Sequence, residues 1–292
     1  MRKLKDVMRT PAAKAAVRLA LDEDLGTPWC DATSEALVDP KAVATGEIYA
    51  KGTGCVVAGA TVAAAVLKAV DPKIRVKILK PDGSVVKPLE PILTFRGKAR
   101  SILAAERTAL NFMQRMSATA TLAKKFVDAT KKFGTLILDT RKTTPGLRVF
   151  QKYAVTCGGG TNHRFGMFDR VLMKDNHRRL WRGGNPDELD QAVVAARKRF
   201  PKLAVEVEVE SLRECESALK ARPEWIMLDN MSCADMKKCV KMCRGKTMTE
   251  ASGGITLERA KEVAATGVTA ISLGCLTHSA GSVDLSLEWK VV

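Results

Sequence analysis

From residue 135 onward, short apolar runs alternate with stretches of helical periodicity. The apolar runs cover residues 135–139, 170–174, 204–210, 225–229, 246–251 and 270–274. Between them, apolar side chains recur at intervals of three and four residues, as on one face of a helix. Strand and helix signals in alternation predict βα units on a parallel sheet, and six successive units predict a barrel of the (β/α) type.

The chain before residue 135 has a different pattern. Helical periodicity covers residues 11–21 and 60–70, and strand-like segments cover 43–59, 74–79 and 92–100. A long helical stretch follows over residues 101–133, and we expect it to be interrupted near Ser117. This mixture of short strands and helices predicts a separate α/β domain that precedes the barrel.

Polar and charged residues follow or end all six apolar runs of the second half. In barrels of this type the chemistry lies at the carboxyl ends of the strands. The sequence therefore predicts one functional rim built from several strand ends. Its candidate residues are Asp139, Thr140, Arg141 and Lys142, then Lys174 to His177, Glu206 and Glu208, Asp229 and Asn230, residues 250–254, and Gly274.

Two segments near this rim carry fixed positive charge. Residues 141–148 place Arg141, Lys142 and Arg148 around a Pro-Gly turn, and residues 158–164 place His163 and Arg164 after three glycines. The planar guanidinium of arginine binds carboxylate or phosphate through two parallel hydrogen bonds. Each segment alone is a weak signal, but together they favour an anionic substrate.

Three glutamates alternate with valines over residues 205–210, so Glu206, Glu208 and Glu210 share one face of a strand. Buried carboxylates require cations, which Lys174, a divalent metal or both could supply. Glu206 and Glu210 have an alternative interpretation as solvated residues at the strand ends. Glu208 lies at the centre of the run, so a solvated position at a strand end explains it least well.

Residues 252–256 follow a predicted strand and begin a predicted helix. Main-chain N–H groups at a helix start bind phosphate, and loops after the late strands of these barrels commonly do so. Ser252, Gly253 and Gly254, with Gly274 after the next strand, therefore predict a phosphate site. The alternative is a tight turn without a ligand.

Composition restricts the class of protein further. The 292 residues include 48 Lys and Arg against 32 Asp and Glu, a net charge of +16, and 46% hydrophobic residues, which excludes a disordered or collagen-like chain. Nucleic-acid binding is an alternative interpretation of this charge, but the basic residues are scattered and aromatic residues are few. The charge is better explained as a surface that attracts small anions.

We expect a cytoplasmic protein that does not bind membranes. The uncharged stretch over residues 55–67 is shorter than the roughly 20 residues of a membrane-spanning helix. Charged residues interrupt any signal-peptide core near the start of the sequence. Eight cysteines without a Cys-x-x-Cys pair predict reduced thiols rather than a disulfide framework.

Taken together, the motifs resemble the quinolinate phosphoribosyltransferase family of type II phosphoribosyltransferases, in order and over nearly the whole chain. The motifs are residues 106–111, 139–148, 152–155 with 158–164, 174–177, 205–208, 228–230 and 250–255. The resemblance implies a fold with an N-terminal α/β sandwich domain and an incomplete, open α/β barrel. The domains expected are residues 1–117 for the sandwich, with residues from about 277 to 292 returning to it, and 118–276 for the barrel.

The resemblance also implies an activity, that of a pentosyltransferase among the glycosyltransferases. Quinolinate and 5-phosphoribosyl 1-pyrophosphate would react with Mg²⁺ to give nicotinate mononucleotide, pyrophosphate and CO₂, a step of NAD biosynthesis. The expected assembly is a homodimer, or a higher oligomer built from it, in which the sandwich domain covers the barrel of the partner subunit. A related enzyme of the same fold with another small acceptor is the alternative.

Site residues implied by the resemblance fall into three groups. The quinolinate pocket comprises Arg141, His163, Arg164 and Lys174, with Arg107 from the other subunit. The phosphoribosyl side comprises Lys142, Glu208, Asp229, Ser252, Gly253, Gly274 and His278, and Thr140 and Gly254 are further expected substrate-binding residues. Lys142, Lys174, Glu208 and Asp229 are the expected catalytic residues, and Glu208 and Asp229 the expected metal ligands.

Overall fold

The computed structural model describes residues 7–181, 184–185 and 188–292. The helices are α1 (Pro11–Leu25), α2 (Ala32–Leu37), α3 (Ala60–Val70), α4 (Ala99–Thr130), α5 (Arg148–Cys157), α6 (Asp175–Leu180), α7 (Leu189–Arg199), α8 (Leu212–Leu219), α9 (Cys233–Cys243), α10 (Leu257–Ala264) and α11 (Cys275–His278). The strands are β1 (Val43–Ala50), β2 (Cys55–Val56), β3 (Arg75–Ile78), β4 (Val85–Val86), β5 (Pro91–Lys98), β6 (Leu136–Leu138), β7 (Val171–Met173), β8 (Val205–Val209), β9 (Trp225–Asp229), β10 (Met248–Ser252), β11 (Ala270–Ser272) and β12 (Leu285–Val291).

The chain divides into two compact units. The first comprises Met1–Lys124, Lys142–Gly160 and Cys275–Val292, and the second comprises Lys125–Arg141 and Thr161–Gly274. In the first unit, strands β12, β1, β5 and β3 form an antiparallel sheet in that order. Ile48, Leu93, Ile102 and Met113 lie fully buried in its core, where apolar faces of the sheet and the helices meet.

Helix α4 continues through Ser117, so the expected interruption at this residue is wrong. The hydroxyl of Ser117 donates to the carbonyl of Ala58 (3.1 Å) and accepts from its main-chain N–H (3.0 Å). Serine weakens a helix when its hydroxyl competes for the helix's own main-chain groups. Here the hydroxyl satisfies another segment of the first unit instead, so α4 stays intact.

The second unit contains the six strands that the apolar runs predict, and all of them are parallel. Their order is β6-β11-β10-β9-β8-β7, so β6 and β7 are the two edges of an open sheet. All five residues of β8 are buried, as expected for a parallel strand covered on both faces. The carboxyl ends of the six strands lie at one edge, which is where the sequence places its candidate chemistry.

Within the described ranges, no helix is both long and apolar enough to cross a membrane.

Candidate active site

Strand register places the acidic residues on one face of the parallel sheet. Glu208 of β8 pairs with Met227 of β9, which in turn pairs with Glu250 of β10. Asp229 lies two residues beyond Met227 and pairs with Ser252. Because paired residues of parallel strands point to the same face, these side chains and Glu206 line one surface of the sheet.

A salt bridge lies at the end of this face, and we call Lys174 and Glu208 the rim pair. The ammonium of Lys174 donates to Glu208 Oε2. The Lys174 side chain is 44% exposed, whereas that of Glu208 is 7% exposed. A buried carboxylate is thus paired with a cation that reaches solvent, one of the arrangements considered from the sequence.

Deeper burial surrounds four other residues, Arg170, His163, Glu206 and Glu250, which we call the inner cluster. Arg170 Nη1 donates to Glu206 Oε2 at 2.9 Å, and His163 Nε2 lies 3.2 Å from the same oxygen. His163 Nε2 also lies 3.4 Å from Glu250 Oε2. Both carboxylates are fully buried, so the interpretation of Glu206 as a solvated strand end is wrong, while Glu210 is exposed.

Opposing effects act on the protonation of His163. Burial lowers the pKa of its imidazole, but the hydrogen bonds and negative charges of Glu206 and Glu250 outweigh burial and raise this pKa to about 9. Burial and the neighbouring charge of Glu206 raise the pKa of Glu250. The main-chain N–H of Arg164 points at Nδ1 of His163 (2.7 Å), so a second ring proton must displace this contact.

His163, Glu206 and Glu250 also form the one group of three potential metal ligands found within the described ranges, with ligand atoms within 4.8 Å of one another. A metal there would face the Arg170 guanidinium, which already binds Glu206 Oε2. The nitrogen of His163 that faces the carboxylates is also the one that carries the proton when Nδ1 accepts from Arg164. The inner cluster is therefore an ion-pair network rather than a metal centre.

Arg141 and Arg164 follow two bridged segments of the second unit, each three residues past the bridge of Leu138 to Thr161. Arg164 is buried, and its Nη1 donates to the carbonyl of Arg170 at 3.2 Å. Burial and the positive charge of Arg141 both lower the pKa of Arg164. Such repulsion between cations is relieved when an anion binds between them, as at a site for a carboxylate.

The turn after β10 is shaped by two glycines with positive φ, Gly253 (95°) and Gly254 (53°). A Cβ atom at Gly253 would overlap the side-chain amide of Asn230. Asn230 itself has positive φ (54°) and donates its main-chain N–H to the carbonyl of Ser252 (3.0 Å). The turns that follow β9 and β10 are thus fitted to each other, and Gly253 is required for this packing.

Some predicted site residues belong to the first unit. Arg107 is an exposed residue of α4, and His278 is an exposed residue that ends α11. Lys142 is exposed, and its carbonyl accepts from the hydroxyl of Thr277. The remaining predicted residues belong to the second unit: Thr140, Arg141, His163, Arg164, Lys174, Glu208, Asp229, Ser252, Gly253, Gly254 and Gly274.

Sequence reasoning does not select Arg170 as a candidate residue, and it assigns no individual role to Glu250. Arg170 begins an apolar run and is assigned there to a strand, although its guanidinium binds Glu206. Glu250 is noticed only as part of a strand end. The sequence does contain a signal for Glu250, because a carboxylate within an otherwise apolar strand requires a buried partner.

Comparison with known proteins agrees with this arrangement over both units. Residues 119–288 match the model for the quinolinate phosphoribosyl transferase C-terminal domain, and residues 31–117 match that for its N-terminal domain. The chain belongs to the quinolinate phosphoribosyl transferase family.

Relatives of this family member are similar over nearly their full length. The nicotinate-nucleotide pyrophosphorylase [carboxylating] of Mycobacterium leprae is 40% identical, over 95% of this chain and 97% of its own. The solved structure of the nicotinate-nucleotide pyrophosphorylase from Francisella tularensis is 38% identical, with a TM-score of 0.91 over 98% of this chain and 99% of its own.

A plant relative is described as a chloroplastic enzyme. This nicotinate-nucleotide pyrophosphorylase [carboxylating] from Oryza sativa subsp. japonica is 40% identical, over 94% of this chain and 77% of its own. Since family members differ in location, a cytoplasmic location for this chain stays a prediction.

Proposed function

We propose that the protein transfers the phosphoribosyl group of 5-phosphoribosyl 1-pyrophosphate to quinolinate and releases CO₂. The products are nicotinate mononucleotide and pyrophosphate, and the reaction serves NAD biosynthesis. Family membership and the names of the relatives support this activity. The observation that carries it is the position of Arg141 and Arg164, which follow the bridged segments of Leu138 and Thr161 and whose mutual repulsion a dianionic acceptor would relieve.

Binding of quinolinate brings two anions together, because phosphoribosyl pyrophosphate is also strongly negative. Arg141 and Arg164 would hold the carboxylates of the acceptor, and Lys174 would extend the positive surface toward solvent. Fixed cations in a partly buried site lower the cost of bringing the substrates together. His163 lies behind this surface, with its ring directed at Glu206 and Glu250.

Transfer begins when the bond between ribose C1′ and pyrophosphate breaks and positive charge develops on the ribose. Glu208 and Asp229 share one face of the sheet and would stabilise this charge. The pyridine nitrogen of quinolinate then forms the bond to C1′. Lys142 would act on the departing pyrophosphate as a cation.

Mg²⁺, which the resemblance implies, fits the same two carboxylates. Magnesium is usually held by one or two carboxylates together with substrate phosphates, and Asp229 is half-buried and open to such a ligand. Glu208 keeps Oε1 in addition to the oxygen that Lys174 occupies. When bound, the ion would neutralise the charge of the pyrophosphate.

Loss of CO₂ follows from the charge that transfer creates. Once the pyridine nitrogen is quaternary, the bond from C2 to its carboxylate can break with the electron pair left on C2, and this carbon then takes up a proton. The arginines would keep the remaining carboxylate fixed during this step. The ribose 5′-phosphate would lie against the turn of Ser252, Gly253 and Gly254, with Gly274 and His278 as further expected contacts.

The activity is tested by incubating the protein with phosphoribosyl pyrophosphate, Mg²⁺ and either quinolinate or nicotinate, and measuring CO₂ and mononucleotide. We expect stoichiometric CO₂ and mononucleotide from quinolinate alone, and loss of both in Arg141→Met. Lys198→Met, on helix α7, is the matched control. Reaction with nicotinate but not with quinolinate would contradict the proposal and favour a related enzyme with another acceptor.

Shared active sites in a homodimer are part of the proposal, because Arg107 is exposed on α4 and is implied to enter the partner's site. Arg107→Ala and Arg141→Ala subunits should each be inactive alone. If random dimers form, mixing them should restore about a quarter of the sites, since each heterodimer regains one intact site. Mixtures that stay inactive would show that Arg107 does not act across an interface.

A further inference from the structure

Asp139 follows strand β6 directly and is completely buried. Its Oδ1 accepts the main-chain N–H of His163 at 2.9 Å, and its Oδ2 accepts the side-chain amide of Asn162 at 2.6 Å. A carboxylate offers acceptors on both oxygens, whereas an amide of the same shape offers one acceptor and one donor group. Both donors are satisfied at once by the two oxygens of the Asp139 carboxylate.

The segment that Asp139 holds runs alongside β6. Thr161 donates its main-chain N–H to the carbonyl of Ile137 (2.8 Å), and Asp139 donates its own to the carbonyl of Thr161 (3.3 Å). Leu138 and Thr161 form an isolated parallel bridge. The regular pairing of the two segments ends at this bridge. Beyond it, the side chain of Asp139 keeps the two segments in contact.

Both arginines of the proposed acceptor site are attached to this connection. Arg141 lies two residues after Asp139 on one segment, and Arg164 lies two residues after Asn162 on the other. We propose that Asp139 is a positioning residue that fixes Arg141 and Arg164 relative to each other by clamping Asn162 and His163. The proposal rests on the proposed function, since it assumes that the two arginines bind the acceptor.

Exchanging the two side chains tests the clamp. In Asn162→Asp two carboxylates face each other, whereas in Asp139→Asn the contact survives if the Asn162 amide turns its oxygen toward the new NH₂ group. In the double variant, the amide oxygen at position 139 accepts from His163, while the NH₂ group at position 139 donates to the carboxylate at position 162. The contacts of position 139 with His163 and with position 162 are therefore both kept. A merely structural need for an acidic residue at position 139 would not be met by this exchange.

The kinetic result expected is a selective loss of acceptor binding. Asn162→Asp should raise KM for quinolinate about ten- to a hundredfold, as expected when a binding group is misplaced, with a small change in KM for phosphoribosyl pyrophosphate. The double variant should return to within about threefold of the original KM, since coupled side chains show large non-additivity. Asp190→Asn, the same exchange on helix α7, should leave both KM values unchanged.

An independent measurement uses the three histidines of the chain, which ¹⁵N-histidine labelling makes visible by NMR. His163 resonances should shift in Asn162→Asp and return in the double variant, while those of His177 and His278 stay in place. This measurement needs no substrate. If quinolinate is not used at all, the proposed function fails, and the His163 resonances alone decide whether the clamp exists.

Two results would overturn the proposal. One is an Asn162→Asp variant with unchanged KM for quinolinate and unchanged His163 resonances. The other is a double variant as impaired as Asn162→Asp. If the double variant does not fold, KM and the His163 resonances of Asn162→Asp decide.

Discussion

The inner cluster and the rim pair are built from the same strand, yet they differ in what balances the carboxylate. Glu206 is completely buried and held by Arg170 and His163, which are themselves buried. Glu208, two residues later, is held by a lysine that reaches solvent. A cation that can move away leaves its carboxylate available to substrate, whereas a buried network does not. We therefore expect the inner cluster to contribute to stability and to the placement of His163, and the rim pair to act in the proposed reaction.

The largest effect expected is on stability, from Glu206→Gln. Removing one partner of a buried ion pair leaves a buried charge uncompensated and typically costs about 3–5 kcal/mol. Urea unfolding monitored by circular dichroism measures this loss. Glu216→Gln, at an exposed position of α8, serves as the control and should change little.

Arg170→Met in the Glu206→Gln background sharpens this test. If uncompensated charge is the cause, the double variant should recover a large part of the lost stability. A double variant less stable than Glu206→Gln would mean that Arg170 contributes mainly through other contacts, such as its position over the ring of Trp225 (5.4 Å).

Glu208→Gln should show the opposite behaviour. Its unfolding free energy should change little, while kcat should fall about a hundred- to a thousandfold, as when one preorganised electrostatic group is lost. Steady-state kinetics measure the effect, with Glu210→Gln, at the exposed residue after β8, as the control.

Excess Mg²⁺ separates two roles for Glu208. A carboxylate that acts on the developing ribose charge gives a kcat loss that metal does not reverse. Full recovery of kcat at high Mg²⁺ would instead identify Glu208 as a metal ligand. Glu206 and Glu208 would then differ only in how much each contributes to the stability of the fold.

The smallest effect expected is the pH dependence of stability that His163 introduces. Its pKa is raised to about 9 in the folded protein, above the ordinary value of 6.5. The stabilisation is thus fully present below pH 6.5 and is lost as the pH rises through 9, by at most about 3 kcal/mol. Urea unfolding at several pH values measures it, and the loss should be absent in His163→Gln. Identical pH profiles for the two proteins would show that the carboxylates do not favour the charged imidazole.

Whether the sequence could predict a contact depends on how far apart the two contacting residues lie along the chain. Alternation over residues 205–210 correctly placed Glu206 and Glu208 on one face, because the two-residue repeat of a strand is a local property. The partners of Glu206 were not predictable in this way. Arg170 lies 36 residues away in the sequence, and only the pairing of β7 with β8 brings the two together.

Ser117 illustrates the same limit in the first unit. Serine within a helix is locally unfavourable, but the main-chain groups that its hydroxyl binds belong to Ala58, far away in the sequence. The site residues Arg141, Arg164 and Lys174 came from charge near strand ends and from the family resemblance. Asp139 was noticed as a strand end, but its role depends on Asn162 and His163, whose approach requires the folded sheet.

The strand order has a consequence for how the second unit assembles. Strands β7 to β10 each pair with the next strand along the chain, whereas β6 pairs with β11, so that Leu136 meets Ala270. Pairings between distant segments form late because loop closure costs conformational entropy. Pulsed hydrogen exchange during refolding should therefore protect β8 and β9 before β6. Arg141 follows β6, and Arg164 follows the segment bridged to β6. The proposed acceptor site of these two arginines would therefore form only with this final pairing. Partly folded chains would not bind the substrate.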